Sequence, residues 1–266
     1  MSKRRIRMAL WLCLLAGACI ASYMAQPRTK LLMVEGHLCE LYETYYDNGH
    51  PLQRYFLIHA EPNAVNHGID NAWYSNGNLR SEVHYNYGEF DGRMRTWWPS
   101  GNLQWEAHFA HDKPHGSFQQ WFDNEQMRTQ RFFNHGACEG RGRVWYANGQ
   151  LRVEFNAQSN NYHGVRRVWN EAGQLRAEQN YENGTFVGEW TVWGDSGDVL
   201  AKGVYIDGEP CEGTFAMLNR QTEDLVVYDV ENDGMVVAVL PGSFGDVLPH
   251  KFATKSMWNL LDKEPQ

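Results

Sequence analysis

Six tryptophans stand 24 residues apart, Trp73, Trp97, Trp121, Trp145, Trp169 and Trp193, with no insertion between them. Other columns keep the same step. Five residues before each Trp lies a glycine: Gly68, Gly92, Gly116, Gly140, Gly164 and Gly188. Four residues after it stands Gly77, Gly101, Gly149, Gly173 or Gly197, with Glu125 the exception. Two further on comes Leu79, Leu103, Met127, Leu151, Leu175 or Val199. Twelve after the Trp comes Tyr85, Phe109, Phe133, Tyr181 or Tyr205, with Ala157 breaking the column. A fixed period of this length means an array of one repeated supersecondary unit.

One unit reads as a hairpin. Arg143-Val144-Trp145-Tyr146 is β-branched and aromatic, and Ala147-Asn148-Gly149 follows it. Asn-Gly between two apolar runs predicts a type I′ turn, because both residues tolerate positive φ. Leu151-Arg152-Val153-Glu154-Phe155 then alternates apolar and charged, as a half-buried strand does. An isolated hairpin is barely stable, so neighbouring units must bury one another. The expected fold is all-β, an elongated array of stacked two-stranded hairpins with a C-terminal β cap.

The recurring Gly, then Trp-x-x-x-Gly-x-Leu-x-x-Glu-x-x-Tyr, resembles the variant MORN repeat, over about residues 42–212. The resemblance extends to bacterial proteins of that type, some grouped under an antitoxin family name. It implies a hairpin array that binds or scaffolds, and it carries no catalytic residues to transfer. A leucine-rich repeat would need several Leu per unit, and a propeller blade four strands and about 40 residues or more.

Outside the array the sequence changes character. Lys3, Arg4, Arg5 and Arg7 precede an uncharged stretch from Met8 to Ala25. A basic cluster before an apolar core predicts a signal peptide or membrane anchor over residues 1–25, with the bulk of the chain outside the cytoplasm. Ala16-Gly17-Ala18 suits a cleavage site, and with Cys19 the run resembles a lipobox in which Ala16 stands where Leu is usual. Residues 26–41 read as a linker. Tyr45 with Asp47-Asn48-Gly49 reads as a weak first unit, with extra residues around Glu61–Asn66 before the strict spacing begins. Residues 213–266 read as a cap over the last open edge, with strands at Leu225–Tyr228 and Met235–Leu240 and a short helix over Ser256–Leu261.

The chemistry-bearing residues offer little to catalysis. No P-loop, GxGxxG, GxSxG or Cys/His zinc spacing occurs, and no cofactor, metal or catalytic residue is expected. His67, Asp91, His115, Glu139 and His163 share one column, and His84 and His108 another. Adjacent units lie about 10 Å apart, so a column cannot converge on one metal ion. His111 and His115 share a turn with Asp112 and read as a solvated turn. Cys39, Cys138 and Cys211 read as packed thiols; the last two lie about three units, roughly 30 Å, apart, beyond disulfide reach.

Charge is more informative. Arg80, Arg128, Arg152 and Arg176 share a column, and two residues on stand Glu82, Glu106, Glu154 and Glu178. This spacing puts both columns on one strand face, as mutual partners or as a recognition surface with Arg95, Arg143 and Arg167. The candidate surface is therefore Arg95, Arg143, Arg152, Arg167, Arg176, Glu154 and Glu178, beside the Trp and Tyr columns. Arg93 to Arg176 holds 11 basic and 7 acidic side chains, whereas residues 182–266 hold 5 and 15. The overall net charge of -8 and the export signal both argue against nucleic acid. A non-enzymatic binding or scaffold module is expected, facing a protein, peptide or envelope polymer or pairing with another copy. Two other readings are an antitoxin-like inhibitor, which an export signal opposes, and a carbohydrate-binding or carbohydrate-modifying protein, which would need two carboxyl groups within about 10 Å across a cleft.

Overall fold

A computed structural model describes residues 30–60, 63–218, 225–230 and 235–240; the segment over 1–25 and the helix expected at 256–261 lie outside them. Among the described residues the chain forms 21 strands joined in one sheet. β1 (Lys30–Val34), β2 (His37–Tyr45), β3 (Pro51–Ala60) and β4 (Asn63–Asn66) precede the strict repeat. β5 (Gly68–Trp73), β6 (Leu79–Asn86), β7 (Glu89–Trp97), β8 (Leu103–Ala110), β9 (Lys113–Trp121) and β10 (Met127–Asn134) form its first half. β11 (Ala137–Cys138), β12 (Gly140–Trp145), β13 (Leu151–Gln158), β14 (Asn161–Tyr162) and β15 (Gly164–Trp169) carry it on. β16 (Leu175–Glu182), β17 (Thr185–Trp193), β18 (Val199–Ile206) and β19 (Glu209–Leu218) end it, and β20 (Leu225–Asp229) and β21 (Met235–Leu240) follow. Their pairings are antiparallel throughout, as successive hairpins require.

The two turns of each unit differ, and not as the Asn-Gly signal suggests. In Tyr146–Gln150 the Gly149 N–H donates to the Tyr146 carbonyl and only Gly149 has positive φ, at 85°. This is a type I turn closed by one left-handed residue, which explains the glycine four residues after each Trp. The type I′ turns lie at the opposite edge, where two consecutive residues have positive φ: Tyr87-Gly88, His111-Asp112, His135-Gly136, Ser159-Asn160, Asn183-Gly184 and Asp207-Gly208. Glu125 occupies the left-handed position of the first turn at φ 65°. That conformation costs an ordinary residue roughly 1–2 kcal/mol, part of which glycine returns through its freer unfolded chain. Glu125→Gly should therefore raise stability by about 0.5–1 kcal/mol, read as a higher denaturant midpoint at unchanged m-value.

Strand alternation separates two faces. On the core face lie Ala72, Val83, Met94, Ala107, Phe118, Phe155, Val168, Ala177, Trp190, Val192 and Phe215, all buried. Aromatics run along it in contact: Phe155–Tyr162, Tyr162–Tyr181, Tyr181–Phe186, Phe186–Tyr205 and Tyr205–Phe215, at 4.6–5.3 Å between centroids. Glycine makes room for them. A Cβ on Gly142 would overlap the Phe155 ring, and one on Gly203 the Phe215 ring. The core face also holds polar groups: Gln179, fully buried, accepts from Arg166 at 2.6 Å and from the Tyr181 hydroxyl at 3.3 Å.

Asp70 faces the same way, opposite Val83, with both oxygens 3.2 Å from Gln53 Nε2. Desolvation raises its pKa, which the Gln53 hydrogen bonds and Arg80 only partly oppose. A raised folded-state pKa means that ionising Asp70 costs stability. The loss starts as pH rises past the unfolded value, near 4, and levels off above the folded one. Asp70→Asn should thus stabilise at neutral pH, with a gain that fades below about pH 4; melts of both proteins across that range check it.

The ends depart from expectation. Residues 30–41 do not form a linker: Leu31-Leu32-Met33-Val34 and His37-Leu38-Cys39 pair across Glu35-Gly36 (φ 50° and 85°), a further hairpin turn. Cys39 there is fully buried. At the other end β19 changes partner. Glu209–Gly213 pairs with β18 and Thr214–Leu218 with β20, so the β20–β21 hairpin branches off. Val227 joins Phe215 and Trp190 in one cluster, which places the branch against the core face.

Candidate binding face

The opposite face carries one uninterrupted cross-strand row. Register places Glu43 beside Arg54, then Asn71, Glu82, Arg95, Glu106 and Gln119 in succession. It continues through Gln130, Arg143, Glu154, Arg167, Glu178, Thr191 and Lys202. Opposite charges alternate along most of it. Ion pairs close at 2.7 Å for Arg54–Glu43 and Arg95–Glu82, 2.9 Å for Arg143–Glu154 and 2.6 Å for Arg167–Glu178. All are partly exposed, so each supplies about 0–1 kcal/mol, and together they hold register.

Two residues along each strand runs the Trp column, half-buried on this same face. Arg54 lies over Trp73 at 5.8 Å and Arg95 over Trp97 at 5.2 Å, so guanidinium groups cover these rings. The Tyr/Phe column does not share this face. Tyr85 pairs with Gly68 and Tyr181 with Gly164, on the core face. Burial there pushes the hydroxyls of Tyr181 and Tyr205 well above the usual phenol range.

The glutamates take different partners from those their spacing suggested. Arg95, Arg143 and Arg167, from the preceding strand of each pair, join Glu82, Glu154 and Glu178. The column two residues before the glutamates turns to the hairpin edge instead. Arg152 lies over Tyr146 and Arg128 over Phe122, both at 5.4 Å, while Arg176 donates to the Trp193 carbonyl and pairs with Asp195. Of the seven candidate residues, Arg95, Arg143, Glu154, Arg167 and Glu178 thus form the row, and Arg152 and Arg176 staple its margin.

That margin is a second ladder. The residue after the Trp, or after Tyr45 in the first unit, donates to the next unit's Trp carbonyl: Tyr46 to Trp73 (2.8 Å), Tyr74 to Trp97 (2.8 Å), Trp98 to Trp121 (3.3 Å), Tyr146 to Trp169 (3.0 Å). The turn asparagines do likewise, Asn76 to Pro99, Asn124 to Ala147 and Asn148 to Glu171. These bonds join successive units outside the strand pairing.

Histidines from different columns meet at the N-terminal end. Glu35 contacts His84 at 2.5 Å and His67 at 3.9 Å, and His37 packs edge-on against His67 at 5.0 Å. The hairpin tip of β1–β2 reaches two units ahead, with Val34 over Gly68; column spacing alone could not reveal it. His111 and His115 stay apart, His111 bonding Glu89 (2.8 Å) and His115 lying 4.7 Å from His135. Among the described residues no group of three His, Cys, Asp or Glu is placed to hold a metal ion. Nor is any described helix long and apolar enough to cross a membrane. Cys39, Cys138 and Cys211 are free thiols, and burial pushes those of Cys39 and Cys138 up, away from reactive thiolate.

Against known proteins, the family described as MORN repeat variant matches residues 67–87, 139–158 and 162–183. The three stretches fall on β5–β6, β12–β13 and β15–β16, in each case a strand, the type I turn and the returning strand. No curated protein matches the chain.

Proposed function

We propose that this chain, in which three stretches match the MORN repeat variant, is a non-enzymatic scaffold that presents its Trp, Arg and Glu face to a protein partner outside the cytoplasm. The observation that carries this reading is the continuous row from Glu43 to Lys202 beside half-buried tryptophans. Trp and Arg are the side chains enriched where proteins meet. The row's internal pairs fix those side chains in advance, which lowers the ordering cost of association. Export follows from Lys3, Arg4, Arg5 and Arg7 before the uncharged stretch Met8–Ala25. Sugar stacking is disfavoured because the Arg54 and Arg95 guanidiniums already lie over Trp73 and Trp97.

The test is envelope capture with the full chain and with the triple variant Arg95→Gln, Arg143→Gln, Arg167→Gln. The variant should stay folded by circular dichroism, since each exposed pair is worth about 1 kcal/mol or less. A partner retained by the wild type and lost by the variant supports the proposal. The same proteins captured by both would overturn it.

A further inference from the structure

The binding face is self-complementary when read backwards. Its row changes sign about the neutral centre formed by Gln119 on β9 and Gln130 on β10, which are cross-strand partners. Stepping outward, Glu106 on one side answers Arg143 on the other, Arg95 answers Glu154, and Glu82 answers Arg167. Beyond these, Asn71 answers Glu178, Arg54 answers Thr191, and Glu43 answers Lys202. No position meets its own sign.

From this pattern we infer that the face binds a second copy of the chain, around a two-fold axis parallel to the strands between β9 and β10. Such an axis reverses strand order while keeping each row level with itself, so every contact is made twice. Glu106 then faces Arg143 of the second copy, Arg95 faces its Glu154, and Glu82 its Arg167. The Arg95–Glu82 pair is thereby covered by Glu154 and Arg167 of the second copy, and the Arg143–Glu154 pair by its Glu106 and Arg95. The neighbouring row fits the same operation, with Trp97 facing Leu151 and Leu103 facing Trp145 of the second copy. Phe132, 48% exposed on this face in β10, flanks the axis and is an apolar anchor at the centre.

Register is set by the gap. Any other axis that keeps the glutamines over the second copy's row sets Gln119 or Gln130 against a charge and leaves that charge without a partner. Facing sheets lie about 10 Å apart and cross at about 30°, a gap that Arg and Glu side chains span. Contact therefore gathers on the central strands β7 to β13, where the opposite charges are densest. The inference rests on the proposed function, since it names the protein that the face takes.

The experiment measures self-association of the full chain in detergent by sedimentation, at low and high salt. The wild type should dimerise and weaken as salt rises. Glu106→Arg brings two guanidiniums together at the contact with Arg143 of the second copy, and Arg143→Glu brings two carboxylates together at the contact with Glu106. Each variant alone should dimerise about tenfold or more weakly. Mixed in equal amounts they should pair with each other, because one of the two equivalent contacts then sets the new arginine against the new glutamate and the other keeps the native Glu106 facing the native Arg143. No change within either chain can produce that recovery. A monomeric wild type, variants that self-associate unchanged, or a mixture that stays apart would overturn the inference. Should a reversal unfold, Glu106→Gln and Arg143→Gln serve instead: each weakens the dimer, and an unchanged dimer counts against it. A monomeric wild type whose captured partner still depends on Arg95, Arg143 and Arg167 overturns this inference and leaves the proposed function standing.

Discussion

Replacing Trp190 with alanine should cost about 3–5 kcal/mol, and Trp121→Ala, from the 24-residue column, roughly half of that. The periodic tryptophans are half-buried on the charged face. Trp190 falls outside their column and is 1% exposed, stacked on Phe215 at 5.9 Å and edge-on to Tyr205 at 6.1 Å. Losing its ring removes contacts from β17 to β19 and leaves a cavity that surrounding strands cannot close. Trp121 keeps part of its ring in water in the folded state, so less burial is lost. Trp190→Phe is the control. The indole Nε1 is buried with no hydrogen-bond partner among the described residues, and phenylalanine removes that unmet donor while keeping the stack. It should cost under about 1.5 kcal/mol. Denaturant melts of the three variants order them; Trp121→Ala as costly as Trp190→Ala would mean that the two faces have been exchanged.

Gly142→Ala should destabilise by about 1–3 kcal/mol although it adds one methyl to a strand. Strand propensity predicts the reverse, since glycine weakens a strand interior. The Phe155 ring lies on the Gly142 backbone and is itself 2% exposed, so it has nowhere to go. Adding Phe155→Leu to Gly142→Ala makes room. The double variant should be less destabilised than the sum of its single changes, a coupling expected only of residues in contact. Gly140→Ala is no control for packing, because Gly140 has a φ of 71°.

Much of this was legible in the sequence because a repeat multiplies weak signals. One Trp says little; six in register, five of them with a glycine four residues on, fix the hairpin, its length and its neighbours. The turn chemistry was less legible. Asn148-Gly149 signals a turn, but one left-handed residue or two cannot be told from that dipeptide, and two of the I′ turns fall on pairs, His111-Asp112 and Ser159-Asn160, that carry no glycine. Faces are hidden from the sequence where a bulge falls between aromatics. Trp169 and Tyr181 are twelve apart, yet the bulge between Val168 and Trp169 reverses the alternation, and the two rings point opposite ways. Charge partners are hidden for a related reason. Glu154 and Arg152 share a strand, but the closer neighbour of Glu154 is Arg143, directly across the ladder. The contact of Glu35 with His84 joins parts of the chain 49 residues apart, outside the repeat, and no periodicity announces it.

The most direct measurement is site-specific photo-crosslinking in the native envelope, with a benzophenone amino acid placed singly along the full chain. Gln119 and Gln130 mark the centre of the row, and Glu171 and Asn183 mark the two hairpin edges, both exposed. The account predicts protein cross-links from Gln119 and Gln130 and none from Glu171 or Asn183. Adducts of twice the chain's mass from the central pair would identify the second copy as the occupant. Cross-links confined to Glu171 and Asn183, with Gln119 and Gln130 silent, would contradict the account, because the partner would then lie along an edge of the array and not on its charged face.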